Sequence, residues 1–257
     1  VDAINQALDR ALARRGLALT VEDDQHLLRG PTLKLFVDRA TLQRAVLDEG
    51  GSPDDAATAL LDRLLDRAAG LPDWFVAKSG VRFALVPDSD RLTGHLHMPV
   101  SPHAAAVLTY TDPHELMISW LRADVLSRWF TDDETLHRTA LQNLDGVLAK
   151  TTLEVQDARG FKLGMLSVDS AYKGALLLAP GLRAVVEPEF GWPVCAVVPC
   201  RDFVFVFADA DREPLIPMLA AAVMTEFESS AHPVTNEVWR ITDDGIEAIG
   251  AYGDAPS

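Results

Sequence analysis

The sequence predicts an α+β fold: mixed or mostly antiparallel sheets with a central hairpin, packed by helices. Three observations lead there. Helical patterns fall between groups of paired strand patterns. Short hairpins outnumber crossover units. The stretch "AVVPCRDFVFVFADAD", Ala196 to Asp211, holds two oily runs joined by Pro199-Cys200-Arg201-Asp202, a four-residue connection of hairpin length. Both runs are too apolar for a solvent-facing edge, so this hairpin is expected centrally, covered on both sides.

Residues 2–15 read as a helix, with Ile4, Leu8, Ala11 and Leu12 at helical spacing and Gly16 as a C-terminal cap. A short hairpin is expected from Leu17 to Leu28, with its turn at Glu22-Asp23-Asp24. "LKLFV", Leu33 to Val37, reads as a strand, and Thr41 to Leu47 as a short helix ended by Gly50-Gly51. The next helix has the clearest start in the chain. Ser52 can cap it, Pro53 fits the first helical position, and Asp54 and Asp55 suit the positive helix end. Leu60, Leu61, Leu64, Leu65 and Ala68 then form one apolar stripe, expected against "LKLFV", until Gly70 and Pro72 stop it.

"GVRFALVPDSD" holds a strand and a turn, and the turn-rich composition near 86–94 suggests a boundary. The expected organisation is an N-terminal α+β region over 1–88, a C-terminal α+β domain over 89–250 and a loose tail over 251–257. A strand is expected at Ala106–Tyr110, a short element at "HELMISW" and a helix over 121–130. Thr131 to Glu134 reads as a capping box opening a helix that ends near Gly146. Strands at 153–155 and 161–163 flank a turn at Ala158-Arg159-Gly160. Asp169 or Ser170 is expected to cap a short helix through Leu178, and Leu182 to Val186 reads as strand. The hairpin over 193–207 follows, then a helix over 213–227 and a small hairpin over 238–249 turning at Asp243-Asp244-Gly245.

Composition fits a folded protein: 48% apolar and 24% charged over 257 residues. The 38 acids against 23 bases give a formal charge of -15, which repels phosphate backbones and anionic membranes. No nucleic-acid or membrane partner is expected. No segment reaches the roughly 18 apolar residues a span needs. The start at Val1-Asp2-Ala3 does not read as a signal peptide. Two cysteines, Cys195 and Cys200, make no disulfide framework, so a cytoplasmic home is expected.

Chemical signals are sparse. His95 and His97 share a face if they lie in a strand, and His103 could complete a three-imidazole metal site if the intervening bend returns it there. Surface or half-buried histidines are the simpler reading. Cys200, beside Arg201, is weighed as a nucleophile and set aside, with no histidine near it in sequence. Ser167, Asp169 and Ser170 read as capping residues before catalytic ones. No phosphate loop, nucleophile elbow, dinucleotide fingerprint or calcium ladder is present, and no cofactor is expected. Arg201-Asp202 has two readings. In the first it is a plain turn, with Asp202 bonding backbone amides. In the second, Arg201 receives a carboxylate or phosphate at a sheet end. Asn143 would then be a second ligand-binding residue, and Asp169, Asp202 or His232 the base.

The segments "LSRWFTDDETLHRTALQNL", "AVVPCRDFVFVFAD" and "HPVTNEVWRITDDGIEAIG" resemble blocks of the DUF1444 family, bacterial proteins of unknown function. The pieces that carry it are Trp129, the Ala140–Leu144 helix end with Asn143, the Pro199–Asp202 turn and His232-Pro233. The resemblance spans about residues 90–250, and more loosely 33–67. It implies a bacterial cytoplasmic protein of mixed α and β structure, and it brings no established reaction or catalytic residue. The family pattern has a small or polar residue where Cys200 stands, which argues further against cysteine chemistry. The function expected is a non-catalytic interaction module whose partner is another protein. The alternative is a hydrolase or transferase acting on a small anion through Arg201 and Asp202.

Overall fold

A computed structural model describes residues 2–22, 25–29, 34–36, 39–68, 71–112 and 118–253. Its elements are helices and antiparallel sheets in an α+β arrangement. The chain divides into two compact units, Val1–Gly80 with Thr111–Ser119, and Val81–Tyr110 with Trp120–Ser257. The strand over 81–87 therefore belongs with the second unit, although the turn-rich composition suggested a boundary at 88–89.

The first unit contains α1 (Asp2–Arg14), β1 (Ala18–Glu22), β2 (Gln25–Arg29), β3 (Lys34–Phe36), α2 (Arg39–Glu49), α3 (Pro53–Ala68) and the short α4 (Trp74–Ala77). The three strands form one antiparallel sheet in chain order. Ser52 caps α3 as expected: the Asp55 N–H donates to Ser52 Oγ at 3.2 Å, and Ser52 Oγ donates back to Asp55 Oδ2 at 2.7 Å. The described part of the apolar stripe of α3 packs on helices. Leu60 and Leu61 are buried in a cluster with Leu8 and Leu12 of α1 and Leu42 and Val46 of α2. In this cluster three amphipathic helices bury their apolar faces against one another. The side chains of Leu64, Leu65 and the 33–37 strand lie outside the described residues, as do the expected turn at Asp23-Asp24 and the stop at Gly70.

The second unit begins with β4 (Val81–Pro87), β5 (His97–Pro99) and β6 (Ala104–Thr111), ordered β4-β6-β5 and antiparallel. β6 is buried along its whole length. After β7 (Ile118–Trp120), the Leu121 N–H donates to the Leu108 carbonyl at 2.9 Å. The helices α5 (Asp124–Trp129) and α6 (Asp133–Leu148) follow. α6 is capped by Asp132, one residue later than expected; its carboxylate accepts from the Thr135 N–H at 2.7 Å. That backbone contact holds the Asp132 carboxyl below its ordinary value. Leu136, Ala140 and Leu144 then form the buried face of α6.

A six-stranded antiparallel sheet makes up the rest: β8 (Thr152–Ala158), β9 (Phe161–Ser167), β10 (Val194–Cys200), β11 (Phe203–Ala208), β12 (Glu237–Thr242) and β13 (Gly245–Ala251). Their spatial order is β13-β12-β10-β11-β9-β8, so the oily hairpin is central, as its composition predicts. Between β9 and β10 lie a 3₁₀ turn (Gly174–Leu178) and α7 (Leu182–Phe190). The strand expected at 182–186 is therefore the start of a helix. Leu182, Val186 and Phe190 are its buried residues, whereas Ala184 and Pro188, which would share their face in a pleated strand, are exposed, a pattern that suits a helix. Between β11 and β12 lies α8 (Arg212–Ser229), which buries Leu215, Leu219 and Val223.

Each face of the central hairpin has its own helix. Cys195, Val197, Phe207 and Val238 pack with the α8 residues. α7 packs on β10 and β11, and a Cβ on Gly164 of β9 would come within 2.6 Å of the Phe190 ring. The tail expected to be loose from 251 is ordered at its start: Ala251 ends β13, Tyr252 is buried, and its N–H donates to the Asn236 carbonyl at 2.9 Å. Among the described residues no helix is long and apolar enough to cross a membrane.

Candidate functional site

Arg201 and Asp202 form the two-residue turn between β10 and β11, tighter than the four-residue connection expected because β10 runs on through Cys200. The ladder shifts register between Val197 and Cys200, and this irregularity absorbs Pro199, which has no N–H to donate. Arg201 Nε pairs with Asp202 Oδ1 at 3.4 Å, with both side chains exposed to solvent. The turn is held from outside by backbone. The Arg201 N–H donates to the His232 carbonyl at 3.0 Å, and the Val234 N–H to the Pro199 carbonyl at 2.9 Å.

Of the proposed site residues, Arg201, Asp202 and His232 are thus neighbours through the main chain. Asn143 is engaged elsewhere; its Nδ2 donates to the Val81 carbonyl at 2.7 Å and joins α6 to β4. Asp169 is exposed on the loop after β9, and Ser170 Oγ accepts from the Tyr172 N–H at 3.2 Å. The three histidines have separate surroundings. The His95 ring stands edge-on to Trp120 at 5.4 Å, His97 Nδ1 donates to the His95 carbonyl at 2.9 Å, and the His103 side chain is exposed. Among the described residues, no three His, Cys, Asp or Glu side chains gather as metal ligands. Cys195 and Cys200 are free and buried.

The structure assembles three polar clusters that sequence reasoning did not. The first is centred on Asp209. It accepts from Arg212 Nη1 at 2.9 Å, Arg240 Nε at 3.1 Å and Cys195 Sγ at 3.5 Å. Burial pushes the Cys195 thiol up to about 12, and the neighbouring Asp209 carboxylate adds to the shift. A thiol held protonated at neutral pH is a poor nucleophile. Burial also pushes the nearby Tyr252 hydroxyl up to about 12.

The second cluster is centred on Glu237, 2% exposed. Its Oε2 accepts from Thr235 Oγ1 at 3.0 Å, from Trp239 Nε1 at 3.2 Å and from Ser101 Oγ. Ser101 belongs to the β5–β6 connection, so this carboxylate ties that turn to the six-stranded sheet.

The third cluster closes one end of a cleft of about 490 Å3, walled by Met98, Val100, Leu177, Leu182, Ile241 and Ile246. Arg183 Nη1 donates to Asp243 Oδ1 at 2.9 Å, and its Nε donates to Glu187 Oε2 at 2.9 Å. Trp192 Nε1 donates to the same Asp243 oxygen at 3.0 Å, and the guanidinium lies 5.4 Å from the Trp192 ring centroid. Hydrogen bonding to Arg183 holds the Glu187 carboxyl below its usual value. Two carboxylates against one guanidinium leave this end negative. A cleft of this size with apolar walls and few polar groups suits an apolar group better than a free anion. Its sequence signals were the hairpin turn at Asp243-Asp244-Gly245 and an isolated Trp192; nothing in the sequence joins them to Arg183.

No family model, curated protein or solved structure matches this chain.

Proposed function

We propose that this chain is a non-catalytic protein-binding module. The observation that carries the reading is the outer edge of β13, which pairs with no other strand among the described residues. It ends the six-stranded order, is seven residues long, contains no proline and carries one charge, Glu247. Free edges of this kind are templates for pairing with another chain. The pairing of Arg201 with Asp202, and of Arg183 with Glu187 and Asp243, supports the same reading. These charged groups are held in ion pairs and are poorly set for acid–base work. The kinship with the DUF1444 family and a cytoplasmic home are part of the proposal; the two free thiols suit a reducing compartment.

The second reading is a hydrolase or transferase acting on a small anion through Arg201 and Asp202. What favours it is the backbone bond that sets Arg201 beside His232. Native mass spectrometry of the gently purified chain separates the two. The binding reading expects a protein-sized addition that survives Arg201→Ala and Asp202→Ala and is lost in Ala248→Pro. A small co-purifying mass lost in Arg201→Ala would reverse the order of the readings.

A further inference from the structure

The edges of the sheets in the second unit differ. β5 is three residues long and carries Pro99, and β8 carries Glu154 and Asp157; both are defended against pairing. β13 is defended only by a register shift, where Trp239 faces Ala248 and Val238 faces Gly250, which leaves Ile249 as the extra residue. From Gly245 to Ala248 the ladder to β12 is regular. Asp243 and Asp244 form a two-residue turn, so the flanking Thr242–Gly245 pair exchanges hydrogen bonds, and so does Arg240–Glu247. The N–H and C=O groups of Ile246 and Ala248 therefore point away from β12. Among the described residues nothing bonds to them.

This regular stretch begins at the cleft, since Gly245 and Ile246 are part of its lining. A strand laid beside them would carry side chains alternately to the two faces of the sheet, and one of these would meet the cleft mouth. The surrounding charge selects the occupant. Asp243, Asp244 and Glu247 line the edge and its turn, while Arg183 is already bound by Asp243 and Glu187. The whole chain carries -15. A second copy would bring the same three acids against these, and like charges directly opposite are unfavourable. An extended segment bearing lysine or arginine meets complementary charge instead.

We propose that Gly245–Ala248 receives an extended, basic segment of a partner protein as a seventh strand, with one apolar side chain of that segment seated in the cleft. This rests on the protein-binding reading and assigns it a site and a partner chemistry. The test uses the full chain, immobilised, and a phage-displayed library of random dodecapeptides as the probe. The expected result is enrichment of peptides that combine alternating apolar residues with lysine or arginine. Their binding should fall about tenfold or more in Ala248→Pro, which removes one outward hydrogen bond, and in Leu178→Trp, which fills the cleft. It should also fall in Glu247→Lys, a surface change that does not threaten folding. Thermal melts of all three variants separate lost binding from lost structure.

Enriched peptides that bind the three folded variants as well as the parent would overturn this site while leaving the protein-binding reading standing. No enrichment would overturn the proposal itself. A concentration-dependent dimer in sedimentation, abolished by Ala248→Pro, would replace the basic segment with a second copy. If the native mass spectra also lack a protein partner, the binding reading falls with the site.

Discussion

Arg240 and Asp209 lie 31 positions apart, and Arg240 Nε donates to Asp209 Oδ2 at 3.1 Å. The bond fastens the turn before α8 to strand β12. Burial raises the Asp209 carboxyl, but hydrogen bonds from Arg212, Arg240 and Cys195 outweigh it and hold the group below its ordinary value. A carboxyl depressed in the folded state adds stability above its unfolded pKa and loses it as pH falls through the folded one. Asp209→Asn should therefore cost about 1–3 kcal/mol at pH 7, since bonds to a charged group are lost from a site only 18% exposed. Below about pH 4 the gap between parent and variant should close. Urea denaturation across pH 2 to 7 reads both effects, and parallel pH profiles would contradict this role.

Glu237 gathers three donors that have been taken out of water. Glu237→Ala leaves the Ser101 and Thr235 hydroxyls and the Trp239 indole without that acceptor. The expected loss is on the order of 3 kcal/mol or more, because each unsatisfied buried group costs about 1–3 kcal/mol. Trp239 emission should shift as its indole loses the carboxylate. A change under about 0.5 kcal/mol, the range of an ordinary surface substitution, would show that water reaches the site.

Gly164 gives Phe190 its place over the sheet. An added Cβ would come within 2.6 Å and 2.7 Å of two Phe190 ring carbons and 3.1 Å of Leu153 Cδ1. Gly164→Ala should cost about 1–3 kcal/mol by overpacking, and Phe190→Leu in the same chain should recover part of that loss. Additive losses in the double variant, measured by denaturant unfolding, would place the strain elsewhere.

Phe130 adopts a left-handed backbone, φ 50, with its residue 98% exposed. Relief of that conformation by Phe130→Gly is worth about 1–2 kcal/mol, more than the roughly 0.5–1 kcal/mol of extra chain entropy that glycine carries. With little packing to lose, the melting temperature should rise. A fall would mean that the ring is held against a surface in solution.

Much of the fold was legible because periodicity and turn chemistry are local. The hairpins at 18–29, 152–167, 194–208 and 237–251 each announce themselves by apolar runs closed with acids, glycine or arginine. The misreading at 182–186 has a local cause as well: "LRAVVE" is β-branched enough to look like strand, and the helix shows only in the fold, where Leu182, Val186 and Phe190 are buried while Ala184 and Pro188 between them are exposed. The clusters were not legible because they are built from residues far apart in the chain. Asp209 meets Arg240, Ser101 meets Glu237, and Arg183 meets Asp243 only once the tertiary fold is in place. Arg201 and Asp202 drew attention because they interrupt an oily pattern, yet a two-residue turn between buried strands has to be polar whether or not it has another use.

The order β13-β12-β10-β11-β9-β8 also bears on how the chain is made. The hairpin of β8 and β9 leaves the ribosome first and presents β9 as an open margin. The next hairpin attaches to it through β11, and the last attaches to β10 through β12. Synthesis from the N-terminus thus extends the sheet at one growing side, and no later strand has to insert between two already joined. Of these six strands β13 emerges last, and its outer side is the newest margin of the sheet.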